Sequence, residues 1–186
     1  MTDEQRFTKK TYDAIARQDW PLAEQNLRRL CKGTKAQASD FYNLAKVLEQ
    51  VQKFEQIPNW LRRAIQYNPN YVAALYELGR WEVKYGSLLT AYSWLKKANA
   101  LDPSDSDISE LFVSVACKTG HWETAQQTLA LNQPNPKNVA NLFRVQCELR
   151  KLTLTEQLTC INENIGPEML GTITKVSCGI LPFRIG

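Results

Sequence analysis

Residues 72–105, VAALYELGRWEVKYGSLLTAYSWLKKANALDPSD, decide the fold, because the chain repeats their pattern of residue types every 34 residues. Aligned with this period, one column holds leucine in four successive rows, and other columns hold bulky apolar residues, small residues, glycine or proline. The clearest columns are Trp20, Phe54, Leu88 and Trp122; Ala23, Ile57, Ala91 and Ala125; Leu27, Leu61, Leu95 and Leu129; Phe7, Phe41, Leu75 and Phe143; Gly86 and Gly120; and Pro69 and Pro103. A fixed period of this length is typical of stacked supersecondary units.

Each row of the repeat predicts two amphipathic helices. In the second row the apolar residues Phe41, Leu44 and Leu48 lie three and four positions apart, which places them on one stripe of a helix. Ile57 and Leu61 begin a second stripe of the same kind. We expect the small residues Ala45, Ala64, Gly79 and Ala98 to let paired helices approach closely, while the bulky columns fill the gaps between one pair and the next.

The residues of these columns resemble the tetratricopeptide repeat (TPR), a helix-turn-helix unit of the same length. The third row matches its signature at Leu75, Leu78, Gly79, Gly86, Ala91, Leu95, Ala98 and Pro103 and departs from it at the aromatic position, which is Glu82. The resemblance implies an all-α fold, a right-handed superhelical solenoid of about five such repeats. We expect the solenoid to span residues 1–166, with rows starting near residues 4, 38, 72, 106 and 140.

Proline, glycine and helix-capping residues predict where the helices begin and end. The residue before a proline disfavours helix, so Asn68-Pro69 and Asp102-Pro103 should each end the second helix of a row. Asp19 should cap a helix that has Pro21 in its first turn. Residues 133–136, QPNP, should interrupt any helix. Thr155 should cap a last helix, and Gly166-Pro167 should end that helix. This gives about ten helices in five pairs.

The C-terminal residues 167–186 break the pattern, since Thr172 to Ile185 shows no helical stripe and includes Gly179 and Pro182. Three interpretations stay open. The segment is a cap on the final repeat, a tail that lies in the groove, or the start of a downstream domain that this chain lacks.

Composition argues against several function classes. The net charge is +4. The sequence has no apolar run long enough for a membrane span, and its polar N-terminus lacks the apolar core of a secretory signal, so we expect a cytoplasmic protein. Cys31, Cys117, Cys147, Cys160 and Cys178 lack the spacing of a metal or redox site and are expected to be reduced packing residues. The single histidine, His121, is expected to be an exposed turn residue. We predict no enzyme activity, no metal and no cofactor.

Candidate binding residues come from the solvent-facing positions of the first helix in each row, which line the concave face of such a solenoid. They are Lys9, Tyr12, Tyr42, Asn43, Lys46, Tyr76, Glu77, Arg80, Lys84, Lys118 and Arg144. Tyrosines give broad contact area at low entropy cost, and neighbouring cations favour carboxylates. An aromatic and basic groove of this kind suits a partner peptide that contains acidic residues. The alternative is that Tyr42 and Tyr76 only cover neighbouring helices and that Lys46 and Arg80 are ordinary solvated charges.

Three function classes follow. The first is a scaffold, adaptor or assembly chaperone that binds a segment of a partner protein. The second is an accessory module that recruits substrate for a larger enzyme, as such repeats do in some glycosyltransferases. The third and least favoured is RNA binding, because Arg28, Arg29, Lys32, Arg62 and Arg63 form no continuous phosphate track.

Some TPR proteins bind chaperone tails through a clamp of five residues. Asn43 is the one residue of this chain that matches the clamp, so we do not predict binding to such tails. Self-association into a homo-oligomer also stays open, since the end faces of an open solenoid stay apolar unless they are covered.

Overall fold

The computed structural model describes residues 3–131, 135–164 and 166–173 of the 186 residues. The described residues form helices and turns, and the chain divides into two compact units, one up to Leu101 and one from Asp102 onward. The first unit contains α1 (Asp3–Ala16), α2 (Trp20–Leu30), α3 (Ala38–Gln50), a single 3₁₀ turn (Phe54–Gln56), α4 (Ile57–Tyr67), α5 (Val72–Tyr85) and α6 (Leu88–Leu101). The second contains α7 (Ser106–Lys118), α8 (Trp122–Leu131), α9 (Pro136–Glu148), α10 (Leu154–Glu163) and α11 (Pro167–Ile173).

The helices pair as the 34-residue rows predict. In the first unit α1 packs on α2, α3 on α4 and α5 on α6, and each of α2 and α4 also packs on the helix that follows it. In the second unit α7 packs on α8, and α8 packs on α9. Because each pair covers the apolar face of the next, the pairs of a unit stabilise one another. The all-α fold of helix-turn-helix repeats is therefore confirmed.

The leucine column forms the centre of the first unit's core. Leu27, Leu61 and Leu95 are each at most 1% exposed. Gly79 faces Leu95 so closely that a Cβ at position 79 would stand 2.7 Å from two of the leucine's side-chain carbons. The small residue therefore lets α5 and α6 approach, as the sequence predicts.

The predicted helix ends in the first unit are confirmed. Helix α4 ends at Tyr67 and α6 at Leu101, each two residues before a proline. Asp19 caps α2, because its carboxylate accepts a hydrogen bond of 3.2 Å from the backbone N–H of Leu22. Pro21 occupies the first turn of α2, where a backbone donor has no helical acceptor.

In three of the helix pairs the turn between the two helices has a left-handed residue at one repeated position. Gln18, Gln52 and Gly120 stand 34 or 68 residues apart and share a left-handed backbone, with φ of 59°, 59° and 76°. Gly86 belongs to the same column, but its φ is −123°. The third row therefore turns differently from its neighbours, and its glycine does not serve to reach the left-handed region.

One expectation about the bulky columns is wrong in part. Phe54 and Leu88 were expected to fill gaps between helix pairs, yet they are 40% and 36% exposed. Leu88 begins α6 and Phe54 begins the 3₁₀ turn before α4, and the outer sides of both residues reach solvent. The smaller column residues Ala23 and Ala91 are fully buried instead.

The end of the second unit corrects two further predictions. The cap of α10 is Thr153 and not Thr155. Helix α10 ends at Glu163, before Gly166-Pro167 as predicted, but it is not the last helix, because Pro167 begins α11. Helix α11 packs on α9, and its Met169 joins Phe143, Cys147 and Ile161 in one buried cluster. The described residues thus hold eleven α-helices where about ten were expected. The remainder of the predicted tail, residues 174–186, lies outside the described residues.

The Thr153 cap leads to a direct test. Its hydroxyl accepts from the Glu156 N–H (3.3 Å), while the Glu156 carboxylate accepts from the Thr153 N–H (2.7 Å), so two donors at the start of the helix gain acceptors. The hydrogen bonds that Thr153 donates lower the pKa of Glu156. Thr153→Ala should cost about 1 kcal/mol of unfolding free energy, whereas Thr155→Ala should change it by less than about 0.5 kcal/mol. Urea unfolding followed by circular dichroism measures both, and equal effects would contradict the assignment.

Candidate binding face

The candidate residues of the first unit lie on the first helices of its three pairs. Lys9 and Tyr12 are on α1, Tyr42, Asn43 and Lys46 are on α3, and Tyr76, Glu77, Arg80 and Lys84 are on α5. The apolar stripe of each helix faces the core, so these positions are left on its outer side. Their exposure varies, from Tyr12 at 44% to the half-buried Tyr42 and Tyr76.

Three tyrosines and an asparagine form a polar aromatic surface that we call the tyrosine face: Tyr12, Tyr42, Asn43 and Tyr71. The Asn43 side-chain amide donates to the Tyr12 hydroxyl over 3.5 Å. The rings of Tyr42 and Tyr71 meet edge to face with centroids 5.4 Å apart. Burial raises the pKa of Tyr71, and the nearby hydroxyls of Tyr42 and Tyr12 raise it further. The three helix pairs therefore bring these side chains together.

The cations beside the tyrosine face are already paired. Glu77 accepts from Lys46 (3.1 Å) and from Arg80 (3.1 Å), and Lys46 also pairs with Glu49 (2.6 Å). Burial alone would lower the pKa of Lys46, but the two carboxylates outweigh it and raise the pKa. We call these four residues the ion bridge. The charges of two cations and two carboxylates add up to zero, so the positive charge that we expected beside the tyrosines is neutralised.

The other predicted residues are exposed or contact aromatic rings, and the Arg80 guanidinium lies 5.8 Å from the ring centre of Tyr76. The Lys84 ammonium lies 4.8 Å from the ring centre of Tyr85, at the end of α5. Lys118 and Arg144 belong to the second unit, where Lys118 is exposed at the end of α7. The Arg144 guanidinium lies 5.3 Å from the ring centre of Trp122. Lys9 is exposed on α1.

Two contributors escaped the sequence reasoning. Tyr71 precedes the first residue of α5, in a column that also holds Gln37 and Asp105, so periodicity gives no aromatic signal there. Glu49 stands three residues after Lys46, a spacing at which oppositely charged side chains of a helix meet. That spacing could have revealed the pairing of Lys46.

Residues that could carry chemistry are packed or scattered. Cys31, Cys117 and Cys147 are buried, and burial raises the pKa of Cys31 to about 12. Cys178 lies outside the described residues. His121 is half-buried and not exposed as expected, and its Nδ1 lies 2.8 Å from the Thr119 hydroxyl. Within residues 3–131, 135–164 and 166–173, no three His, Cys, Asp or Glu side chains are arranged to hold a metal ion. Over the same residues, no helix has the length and apolar character needed to cross a membrane.

Sequence comparison finds a relative but no family model. No protein-family model matches the chain. A TPR repeat-containing protein of Methanocaldococcus jannaschii is 26% identical over 107 residues, which cover 56% of this chain and 19% of that protein. The chain thus spans about a fifth of the length of the curated relative that it matches.

Solved structures share the fold. The protein named MamA from Desulfovibrio magneticus superposes with a TM-score of 0.64 at 16% identity, over 95% of this chain and 94% of that one. The TPR2B domain of yeast Sti1, solved as a complex with pHsp70, superposes with a TM-score of 0.53 at 18% identity, over 61% of this chain and 96% of that one. The chain therefore has the tetratricopeptide-repeat fold.

Proposed function

We propose that this protein is an interaction scaffold whose first unit binds a segment of a partner protein on the tyrosine face. The observation that carries the proposal is the convergence of Tyr12, Tyr42, Asn43 and Tyr71 from successive helix pairs onto one surface. The solved complex of the yeast TPR2B domain with pHsp70 supports a binding role for this fold. A fold hosts many functions, so the side chains of the site have to carry the argument.

The tyrosine face has the properties of a contact surface. Tyrosine offers a large apolar ring with two rotatable bonds and a hydroxyl that can bond a peptide backbone. Tyr42 and Tyr71 are half-buried and hold each other edge to face, so they lose little conformational freedom when a partner binds. Tyr12 is 44% exposed and supplies an edge that a partner can cover.

The ion bridge determines which segments suit this face. A ligand carboxylate would have to compete with Glu77 for both Lys46 and Arg80. We therefore propose that this face recognises the backbone and the aromatic or aliphatic side chains of its partner, and that carboxylates contribute little there. The ion bridge then holds α3 and α5 in register beneath the bound segment.

The experiment compares three forms of the protein in cross-linked capture from the native lysate, read by mass spectrometry. The first form is the parent, and the second carries Tyr12→Ala with Asn43→Ala. The third carries Tyr85→Ala with Asn162→Ala, which removes the same residue types from exposed positions that do not belong to the tyrosine face. A partner should be captured by the parent and the control and lost from the second form.

A purified partner then gives the size of the effect. Loss of one central tyrosine contact weakens an interface by about 2 kcal/mol, so the affinity of the second form should fall about thirtyfold. Circular dichroism must show equal helicity in all three forms. Capture of the same proteins by all three would contradict the proposal.

A further inference from the structure

A positive surface lies on second helices of the first unit, away from the tyrosine face. Six residues of the 3₁₀ turn and α4 line an open pocket of about 590 Å³: Gln56, Asn59, Trp60, Arg62, Arg63 and Gln66. We call it the arginine pocket. Arg28 of α2 borders it, because its guanidinium donates to the Gln56 side-chain oxygen over 2.7 Å.

Two of the guanidinium groups at the arginine pocket, those of Arg63 and Arg28, lie against one indole. Arg63 lies 4.8 Å and Arg28 lies 5.7 Å from the ring centre of Trp60. Phe41 stacks on the same indole, with centroids 6.2 Å apart. A cation–π contact uses the face of the guanidinium and not its N–H groups, so Arg63 keeps its donors available for an anion. The donors of Arg28 already bond to Glu24 and Gln56.

The charge of this surface is only partly compensated. Glu24 pairs with Arg28 and Lys53, and Glu82 pairs with Arg62. No carboxylate lines the pocket, and among the described residues no ion pair to Arg63 is formed. The unit as a whole is positive, since residues 1–101 contain 16 Lys and Arg against ten Asp and Glu, a formal charge of +6. The remaining residues carry seven against nine, a charge of −2.

We propose that the arginine pocket is a second docking site, which binds an acidic segment of a partner protein. Planar guanidinium forks match carboxylates in a two-point geometry, and three arginines border this one pocket. The side-chain amides of Gln56, Asn59 and Gln66 can donate to and accept from the backbone of the same segment. The acidic partner chemistry expected for the concave groove is thereby assigned to the outer surface, where the positive charge is only partly neutralised and Arg63 forms no ion pair with the described residues.

The same contacts argue against a nucleic acid as the occupant. Single-stranded nucleic acids bind through bases that stack on open aromatic faces, but Arg28, Arg63 and Phe41 already lie over the indole of Trp60. A phosphate backbone also needs a continuous track of cations. Glu24 and Glu82 interrupt the positive charge on either side of the pocket.

The test measures fluorescence anisotropy with a defined probe, the fluorescein-labelled peptide (Gly-Glu)₆, at low salt. Its neutral counterpart (Gly-Gln)₆ and a short oligothymidine are the comparison probes. The variant is Arg63→Gln, and the matched control is Arg80→Gln, which removes the same charge from the same unit but from the ion bridge. We expect the affinity for (Gly-Glu)₆ to fall about tenfold in Arg63→Gln, as for loss of one charge-assisted pair, and less than about twofold in Arg80→Gln.

Each other outcome contradicts the proposal. Equal losses in Arg63→Gln and Arg80→Gln would show attraction to bulk charge without a site. Tighter binding of oligothymidine than of (Gly-Glu)₆ would assign the surface to nucleic acid, and absence of (Gly-Glu)₆ binding would remove the site. The variant with Tyr12→Ala and Asn43→Ala should still bind (Gly-Glu)₆ like the parent, so a failure of the tyrosine face and a failure of the arginine pocket can be told apart.

Discussion

Replacing Leu95 with alanine should lower the free energy of unfolding by about 2–5 kcal/mol, the largest stability effect that we expect from one substitution in the first unit. Leu95 is fully buried between α5 and α6. The loss combines the lost transfer energy of the removed carbons with the cavity that they leave. Leu89 on the same helix is 64% exposed, so Leu89→Ala is the matched control and should change stability by less than about 0.5 kcal/mol.

The close approach of Gly79 to Leu95 makes a second change depend on the first. Alanine is about 1 kcal/mol better than glycine inside a helix. In the parent, however, the new Cβ would stand 2.7 Å from Leu95 Cγ and Cδ2, and such overpacking costs about 1–3 kcal/mol. Gly79→Ala should therefore destabilise the parent but stabilise the Leu95→Ala variant, where the clashing carbons are absent.

Urea unfolding of the four proteins in this double-mutant cycle measures the effect. We expect a coupling of about 2 kcal/mol between positions 79 and 95, within the range for residues in contact. A Gly79→Ala change of the same sign in both backgrounds would show that the glycine serves a purpose other than close packing. Equal effects of Leu89→Ala and Leu95→Ala would contradict the assignment of the leucine column to the core.

The packing of the fold was predictable from the sequence because it depends on residue type at a fixed period. Leucine at positions 27, 61 and 95 is buried in the same way in each pair, so the column and the core coincide. The turns were less predictable, since their backbone is set by local contacts. Gly86 and Gly120 share a column, yet Gly120 is left-handed with φ of 76° and Gly86 has φ of −123°. Gln18 and Gln52 adopt the left-handed turn without a glycine to indicate it.

For the candidate site, the sequence predicted which positions reach solvent but not how their charges pair. Repeat register assigned Tyr42, Lys46 and Arg80 to solvent-facing positions of α3 and α5, and in the structure Arg80 is exposed while Tyr42 and Lys46 are half-buried. Register alone cannot say that Glu77 lies between the two cations, since that depends on the distance between two helices. Tyr71 was missed because it lies in a helix-capping column. Pairing of side chains across helices, and not the identity of surface positions, is what the sequence lacked.

The departure of the third row from the repeat signature is explained by one buried carboxylate. Glu82 is 5% exposed where the signature has an aromatic residue. It pairs with Arg62 (3.2 Å) and accepts from the backbone N–H of Ser87 (3.3 Å) in the turn between α5 and α6. A Cβ at Gly86 would lie 2.0 Å from Glu82 Oε2 and 3.0 Å from its Cδ. The carboxylate thus occupies the space that a side chain at position 86 would need.

Gly86→Ala should therefore lower the free energy of unfolding by about 2 kcal/mol, as overpacking does, because two hydrogen-bond partners hold the Glu82 carboxylate in place.

Gly120→Ala is the matched control. Open space surrounds Gly120, so alanine there should cost about 1 kcal/mol only because its backbone is left-handed. Glu82→Ala leaves the Ser87 N–H without this acceptor and should itself be destabilising, yet in that background the cost of Gly86→Ala should become much smaller, because only the 3.3 Å contact with the Cα of residue 82 remains. The Gly120→Ala cost should be the same whether residue 82 is glutamate or alanine. Urea unfolding of these variants separates the two causes, and a Gly86→Ala cost that persists in the Glu82→Ala background would mean that the backbone of the turn, not the carboxylate, requires glycine.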